Sequence, residues 1–233
     1  MTPPGLVFDG DVPGRLAPLR LTVPGGRWTC LLGASGIGKS TLLHSFAGTV
    51  VPNGICTATD GGALAGRVAL MAQSDLLLPW LSAADNVAFG ARLRGDRADR
   101  ARVAALLDAV GLADHAGRKP GTLSGGQRQR VALARTLYED RPVVLMDEPF
   151  SALDVATRVR MQDLAVRLLS GRTVLHVTHD PAEAARLGEA IVVLLPTGPM
   201  PHTPPPGPIP RAPDSTETLA ATGALTRAML EAA

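Results

Sequence analysis

Apolar residues along this chain alternate between short, largely apolar runs and stripes at helical spacing, as expected of strands buried on both faces and the amphipathic helices that cover them. The largely apolar runs at residues 27–32, 67–71, 142–146, 173–177 and 191–195 read as strands, and 142–146 has no polar interruption. Residues 41–47, 99–110, 125–138 and 155–169 read as helices. Within 99–110, Val103, Leu106, Leu107 and Val110 share one face and Gly111 supplies a stop. Within 125–138, Val131, Leu133, Ala134 and Leu137 are apolar, Arg128, Arg130 and Arg135 are polar, and Ser124 can cap the first turn. Before Gly26 the chain is rich in Pro and Gly, and Leu19, Leu21 and Val23 alternate as in a small antiparallel sheet. Residues 52–66 read as a loop or short hairpin, the proline-rich residues 196–213 as an extended linker, and residues 216–232 as a closing helix. The pattern predicts an α/β fold, a mostly parallel sheet with flanking helices.

Composition narrows this. At 233 residues there is material for one large domain with an inserted part. Apolar residues make up 45% and aromatics 3%, so the core has to be built from Leu, Val and Ala. A net charge of +2, with basic residues spread along the chain, gives no electrostatic footprint for nucleic acid. Cys30 and Cys56 have neither metal-ligand spacing nor the density of a disulfide framework, which points to a reducing compartment. No basic-then-apolar segment opens the chain, and the longest aliphatic runs fall short of the roughly 20 residues of a membrane span. A role at a membrane would therefore need docking through a partner.

The candidate chemistry lies where runs end. Gly33-Ala34-Ser35-Gly36-Ile37-Gly38-Lys39-Ser40 fits G-x-x-x-x-G-K-[ST], with Thr41 following, and sits between a predicted strand and a predicted helix. Such a loop brings backbone N–H groups onto phosphate oxygens, while the lysine and the hydroxyl serve the outer phosphates and Mg2+. Lys39 is one of two lysines in a chain that otherwise uses arginine, the other being Lys119. A second glycine-rich segment, Leu123-Ser124-Gly125-Gly126-Gln127, opens a helix but has no lysine, so it offers phosphate donors without a complete site. Two half-sites imply a second copy of the chain.

Asp147 and Glu148 end a strand where α/β sheets bind ligands. Ser40 would ligate Mg2+ directly and Asp147 through water, while Glu148 would polarise a water for in-line attack on the terminal phosphoryl group. His179, in Thr178-His179-Asp180, ends the next strand and would face the same phosphate. His44, His115, His176 and His202 have no such placement and read as structural or solvated.

The phosphate loop, Gln73, Leu123–Gln127, Met146-Asp147-Glu148-Pro149, Ser151-Ala152-Leu153-Asp154 and Thr178-His179-Asp180 occur in the order that resembles the ATP-binding subunits of ABC transporters. The resemblance covers residues 5–195. It implies a P-loop NTPase core of ABC type, with an N-terminal antiparallel β-subdomain and an inserted α-helical subdomain, here at about 74–138 within a domain at 1–195. Residues 196–213 and 214–233 then form a linker and a C-terminal helix. Two such domains pack head to tail, so that Ser124, Gly125, Gly126 and Gln127 serve the opposite copy's ATP and Asp154 lies at the dimer interface. Gln73 contacts Mg2+ or the attacking water, and His179 senses the phosphate. The family's adenine-stacking aromatic has its nearest counterpart in Phe8, while Trp28 reads as core.

Residues 72–82, with Leu76, Leu77, Leu78, Pro79 and Trp80, resemble the importers of nitrate, sulfonates, taurine and thiamine pyrimidine precursors, where this stretch helps form the groove for the permease. The same side chains could instead fill a helical core. The resemblance implies an ATPase that powers uptake through separate transmembrane permease subunits, with a solute-binding protein outside and the ATPase peripheral on the cytoplasmic face of the inner membrane. A soluble ABC ATPase acting on ribosomes or DNA, and half of an exporter, are the alternatives. The former usually carry paired domains, a long coiled coil or zinc-binding cysteines, and the latter are usually fused to membrane segments.

Overall fold

The structure, a computed structural model, describes residues 2–231. Along the chain run β1 (Leu6–Val12), β2 (Leu16–Val23), β3 (Trp28–Leu32), α1 (Lys39–Phe46), β4 (Asn53–Ala58), β5 (Val68–Met71), α2 (Ala83–Val87), α3 (Phe89–Leu93) and α4 (Arg100–Ala109). They continue with α5 (Gly125–Tyr138), β6 (Val143–Asp147), α6 (Val155–Leu168), β7 (Thr173–Thr178), α7 (Pro181–Leu187), β8 (Ala190–Leu195), β9 (Gly198–His202) and α8 (Thr216–Leu230). Ala232, within the expected closing helix, lies outside the described residues.

Two compact units divide the chain. The first comprises residues up to Val68, Pro142–Glu148 and residues from Ser170 onward. Its main sheet runs β6-β7-β3-β8-β9, and β5 carries the chain from this unit into the second. β3 pairs in parallel with β7 and β8, and β6 in parallel with β7. Every residue of β3, β6 and β7 is buried, which is why these strands read as apolar runs without alternation. A three-stranded antiparallel sheet, β2-β1-β4, joins them in the same unit. The α/β class and the mostly parallel sheet are as the apolar pattern predicts.

Two segments differ from their expected form. Residues 53–58, read as part of a loop or hairpin, form β4 and pair antiparallel with β1 from Leu6↔Ala58 to Asp11↔Asn53. Asn53, Gly54 and Ile55 are exposed in this edge strand, so no apolar alternation marks it. Residues 196–213 are not wholly an extended linker, because β9 pairs antiparallel with β8 in the register Val193↔Met200. Pro199 and Pro201 lie opposite Leu194 and Val192, leaving Gly198, Met200 and His202 to supply N–H donors to the ladder. Further on, Arg211 donates from Nη1 to the carbonyls of Ala185 and Gly188, each at 2.9 Å, and so fastens this segment to α7.

The second unit comprises Ala69–Arg141 and Pro149–Leu169. Its core gathers Val87 from α2, Val103 and Leu107 from α4, and Val131 and Ala134 from α5. Leu164 and Leu168 of α6 pack against that cluster, so α6 belongs to the helical unit although the strand before it does not. Of the stripe expected on α4, Val103, Leu107 and Val110 are buried and Leu106 partly so. No helix among the described residues is long and apolar enough to cross a membrane.

Candidate nucleotide-binding site

In the first unit the buried strand β3 delivers the chain to a loop that only glycine fits at two points. Gly38 has φ +107°, and a Cβ there would lie 2.6 Å from Leu16 Cδ1. Gly33 has no positive φ, but a Cβ would come within 2.8 Å of the Leu194 carbonyl oxygen. Ala34, Ser35 and Gly36 form an exposed crest, and Ile37 and Thr41 are half-buried on either side of the turn into α1. Gly38 caps α1 without a side-chain hydrogen bond, so the first-turn N–H groups have no capping acceptor and suit an anion. Lys39 is 4% exposed. Its Nζ donates to the Gly33 and Ala34 carbonyls at 2.8 and 2.9 Å, folding the loop around the ammonium. Burial pushes the Lys39 pKa down, and the Glu148 and Asp147 carboxylates push it back up.

The acidic strand end meets this loop inside the same unit. Ser40 Oγ donates to Asp147 Oδ1 at 2.9 Å, and His44 Nε2 stands 3.9 Å from Asp147 Oδ2. Burial raises the Asp147 pKa and Glu148 adds to this, while the Ser40 hydrogen bond, His44 and Lys39 oppose it. A hydroxyl and a carboxylate so close form a hard oxygen pair, the donor type that Mg2+ takes. The next residue, Glu148, turns sharply to φ +43°, and its N–H bonds the Val177 carbonyl at 3.0 Å. Its Oε2 lies 3.0 Å from His179 Nδ1. The Glu148 side chain is 16% exposed and that of His179 49%, so the pair has a solvent-facing member beside a more enclosed carboxylate. Such a carboxylate can accept a proton from water, and the imidazole can orient it.

The second unit holds the remaining predicted residues. Ser124 and Gln127 form a capping box for α5. Ser124 Oγ accepts from the Gln127 N–H at 3.3 Å, and Gln127 Oε1 accepts from the Ser124 N–H at 2.8 Å. Gln127 Nε2 is 3.1 Å from His115 Nε2, so the glutamine side chain holds the helix start. Between them, Gly126 is closely packed, since a Cβ would meet Thr157 Cγ2 at 3.0 Å, while Gly125 is open. Asp154 caps α6 by accepting from the Thr157 N–H at 3.0 Å, the bond that leads in lowering its pKa. Gln73 is exposed just beyond the end of β5. Removing the Gln127 side chain by Gln127→Ala is expected to cost about 1 kcal/mol through the lost cap. A thermal melt should then fall by about 2–4 °C.

The same unit displays part of the Leu-Pro-Trp stretch. Leu77 is buried, but Leu76 is 63% and Trp80 66% exposed, so the stretch is not simply core. Leu76 is held at φ +46° while Arg135 donates to the Leu76 and Asp75 carbonyls at 2.8 and 2.7 Å. Arg128 Nε bonds Asp75 Oδ2 at 2.9 Å.

The structure corrects one proposed residue and adds others. Phe8 is fully buried, its ring edge-on to Phe46 at 6.1 Å between centroids, so it belongs to the core and offers no face to a base. Strand alternation on β1 directs it inward, whatever its distance from the loop. His44 and His115, read as structural or solvated, contact Asp147 and Gln127. Only the helical spacing of His44 from Ser40, one turn on, hints at this in the sequence. His176 is a buried residue with Nε2 3.2 Å from Glu183 Oε2.

Residues 16–151 match the family model described as ABC transporter, a stretch that spans the phosphate loop, Leu123–Gln127 and Glu148. A Haemophilus influenzae protein named as an uncharacterized ABC transporter ATP-binding protein is 47% identical over 191 residues, 81% of this chain and 78% of its own. A Rhodococcus jostii protein, aliphatic sulfonates import ATP-binding protein SsuB 1, is 46% identical over 186 residues, covering 78% of this chain and 74% of its own. The Shigella flexneri aliphatic sulfonates import ATP-binding protein SsuB is 46% identical over 190 residues, 77% of this chain and 71% of its own.

Proposed function

Because the chain belongs to the ABC transporter family, we infer that it is the ATP-hydrolysing subunit of an importer, converting ATP and water to ADP and phosphate to drive solute uptake. The observation that carries this reading is the joined cluster of Ser40 with Asp147 and of Glu148 with His179 at the edge of the sheet that holds the phosphate loop. The triphosphate takes the exposed crest and the first turn of α1, with the Lys39 ammonium exchanging loop carbonyls for phosphate oxygens. Mg2+ would be held by Ser40 and Asp147 and would neutralise charge on the phosphate oxygens. Glu148 accepts the proton of the attacking water, and His179 orients Glu148 and the terminal phosphate.

Ser124, Gly125, Gly126 and Gln127 complete the site of a second copy, and Asp154 lies at that contact. Two chains therefore close head to tail on ATP and reopen on hydrolysis. The exposed Leu76 and Trp80 give a membrane-spanning permease an apolar seat, which supports peripheral attachment at the cytoplasmic face of the membrane. The sulfonate importers among the relatives favour an aliphatic sulfonate or similar small anion as the solute, delivered by a separate binding protein.

Deleting the gene is expected to abolish growth on an aliphatic sulfonate as sole sulfur source while growth on sulfate persists. Restoring it with Leu76→Ser and Trp80→Ser should fail to recover uptake, although the purified variant still binds ATP. Unimpaired growth of the deletion strain would overturn the choice of solute, and full rescue by the double variant would overturn the docking site.

A further inference from the structure

Within the second unit a cavity of about 560 Å³ opens between the end of α4, α5 and α6, bordered by Thr157, which lies beside Gly126. Its size falls within the roughly 300–1,000 Å³ of small-molecule sites. Arg130, Arg160 and Arg167 line it against a single carboxylate, Asp108. Met161, 2% exposed, and the half-buried Leu164 add an apolar wall. Arg130 is already fixed, since Nη1 donates to the Val110 carbonyl at 3.2 Å and Nε to the Gly126 carbonyl at 3.4 Å. Arg160 and Arg167 make no hydrogen bond or ion pair among the described residues. Two turns apart on α6, they lie on one side of the helix, so both guanidinium groups serve the same space.

Three guanidinium groups facing one carboxylate leave the cavity with excess positive charge, which disfavours a cation and leaves a neutral ligand without use for the arginines. The planar fork of arginine matches tetrahedral oxyanions in two-point hydrogen bonds. An apolar wall beside such forks asks for a carbon body on the anion. We propose that this cavity binds a small organic oxyanion, a sulfonate or phosphate monoester class ligand, with its head on Arg160 and Arg167 and its aliphatic body on Met161 and Leu164. Arg130 adds long-range attraction from its fixed position, and Asp108 sets the limit on affinity.

Titration calorimetry of the full chain with hexanesulfonate and with hexyl phosphate tests this, with hexanol and hexyltrimethylammonium as the uncharged and cationic probes. Both anions are expected to bind and the other two are not, and the tighter anion identifies the head group. Arg160→Ala with Arg167→Ala should weaken anion binding at least about tenfold, the loss expected for charge-assisted hydrogen bonds. Asp108→Ala should tighten it. These opposite signs separate a binding effect from a loss of folding, since damaged folding would weaken both. Anion binding that is absent, or equal in the wild type and the double arginine variant as at the phosphate loop, would overturn the proposal. Weakening by Asp108→Ala would do the same.

Discussion

Glu148→Gln is expected to slow ATP turnover by about 10²–10⁴-fold, the range that a positioned general base contributes. The substitution keeps the shape of the side chain and the N–H bond to Val177, but the amide has no basic oxygen for the proton of water. His179 keeps a hydrogen-bonding partner, so the local geometry survives. ATP affinity should remain within the wild-type range, because Lys39, Ser40 and the glycine crest are untouched. With turnover blocked and ATP retained, the variant should sediment as a dimer in ATP and as a monomer without it. Phosphate release assays and analytical ultracentrifugation read the two effects separately. Turnover that survives the change would remove Glu148 from the role of base, and a monomer in saturating ATP would overturn the head-to-tail pairing.

The second large effect belongs to Lys39→Ala. Charge-assisted hydrogen bonds are worth about 1.5–3 kcal/mol each, so loss of the ammonium should weaken ATP binding by about 10–150-fold. The loss has a structural side as well, since Nζ ties the Gly33 and Ala34 carbonyls and so sets the loop's curvature. Lys39→Arg should not rescue it, because the forked guanidinium is broader than an ammonium seated between two carbonyls at 2.8 and 2.9 Å. Equilibrium titration with a fluorescent ATP analogue measures the change. An affinity unaltered by Lys39→Ala would place the triphosphate elsewhere.

The elements that the sequence made legible are those whose physics is local. A strand buried on both faces has few polar residues, with Thr29 in β3 and His176 in β7 as internal exceptions, so β3, β6 and β7 announce themselves as largely apolar runs. A loop with G-x-x-x-x-G-K-S spacing carries its own geometric requirement, which Gly38 meets at φ +107°. Features set by distant partners were hidden. The inward side of β1 decides that Phe8 packs on Phe46, and linear distance to the phosphate loop says nothing about it. β4 exists because β1 offers it a ladder, although its own residues are largely exposed and glycine interrupts them. His115 became informative only once the fold brought its ring to Gln127. The backbone that presents Leu76 is held by tertiary bonds from Arg135 to the Asp75 and Leu76 carbonyls.

The prolines of β9 have a further effect on how this chain behaves at high concentration. A sheet that ends in a strand with free N–H groups can recruit a strand from another molecule and grow. β9 closes the main sheet, and the N–H groups missing at Pro199 and Pro201 are those on the rim turned away from β8. A foreign strand laid along that rim would find no donors at these alternate positions. This border of the sheet therefore resists recruiting a strand from another copy.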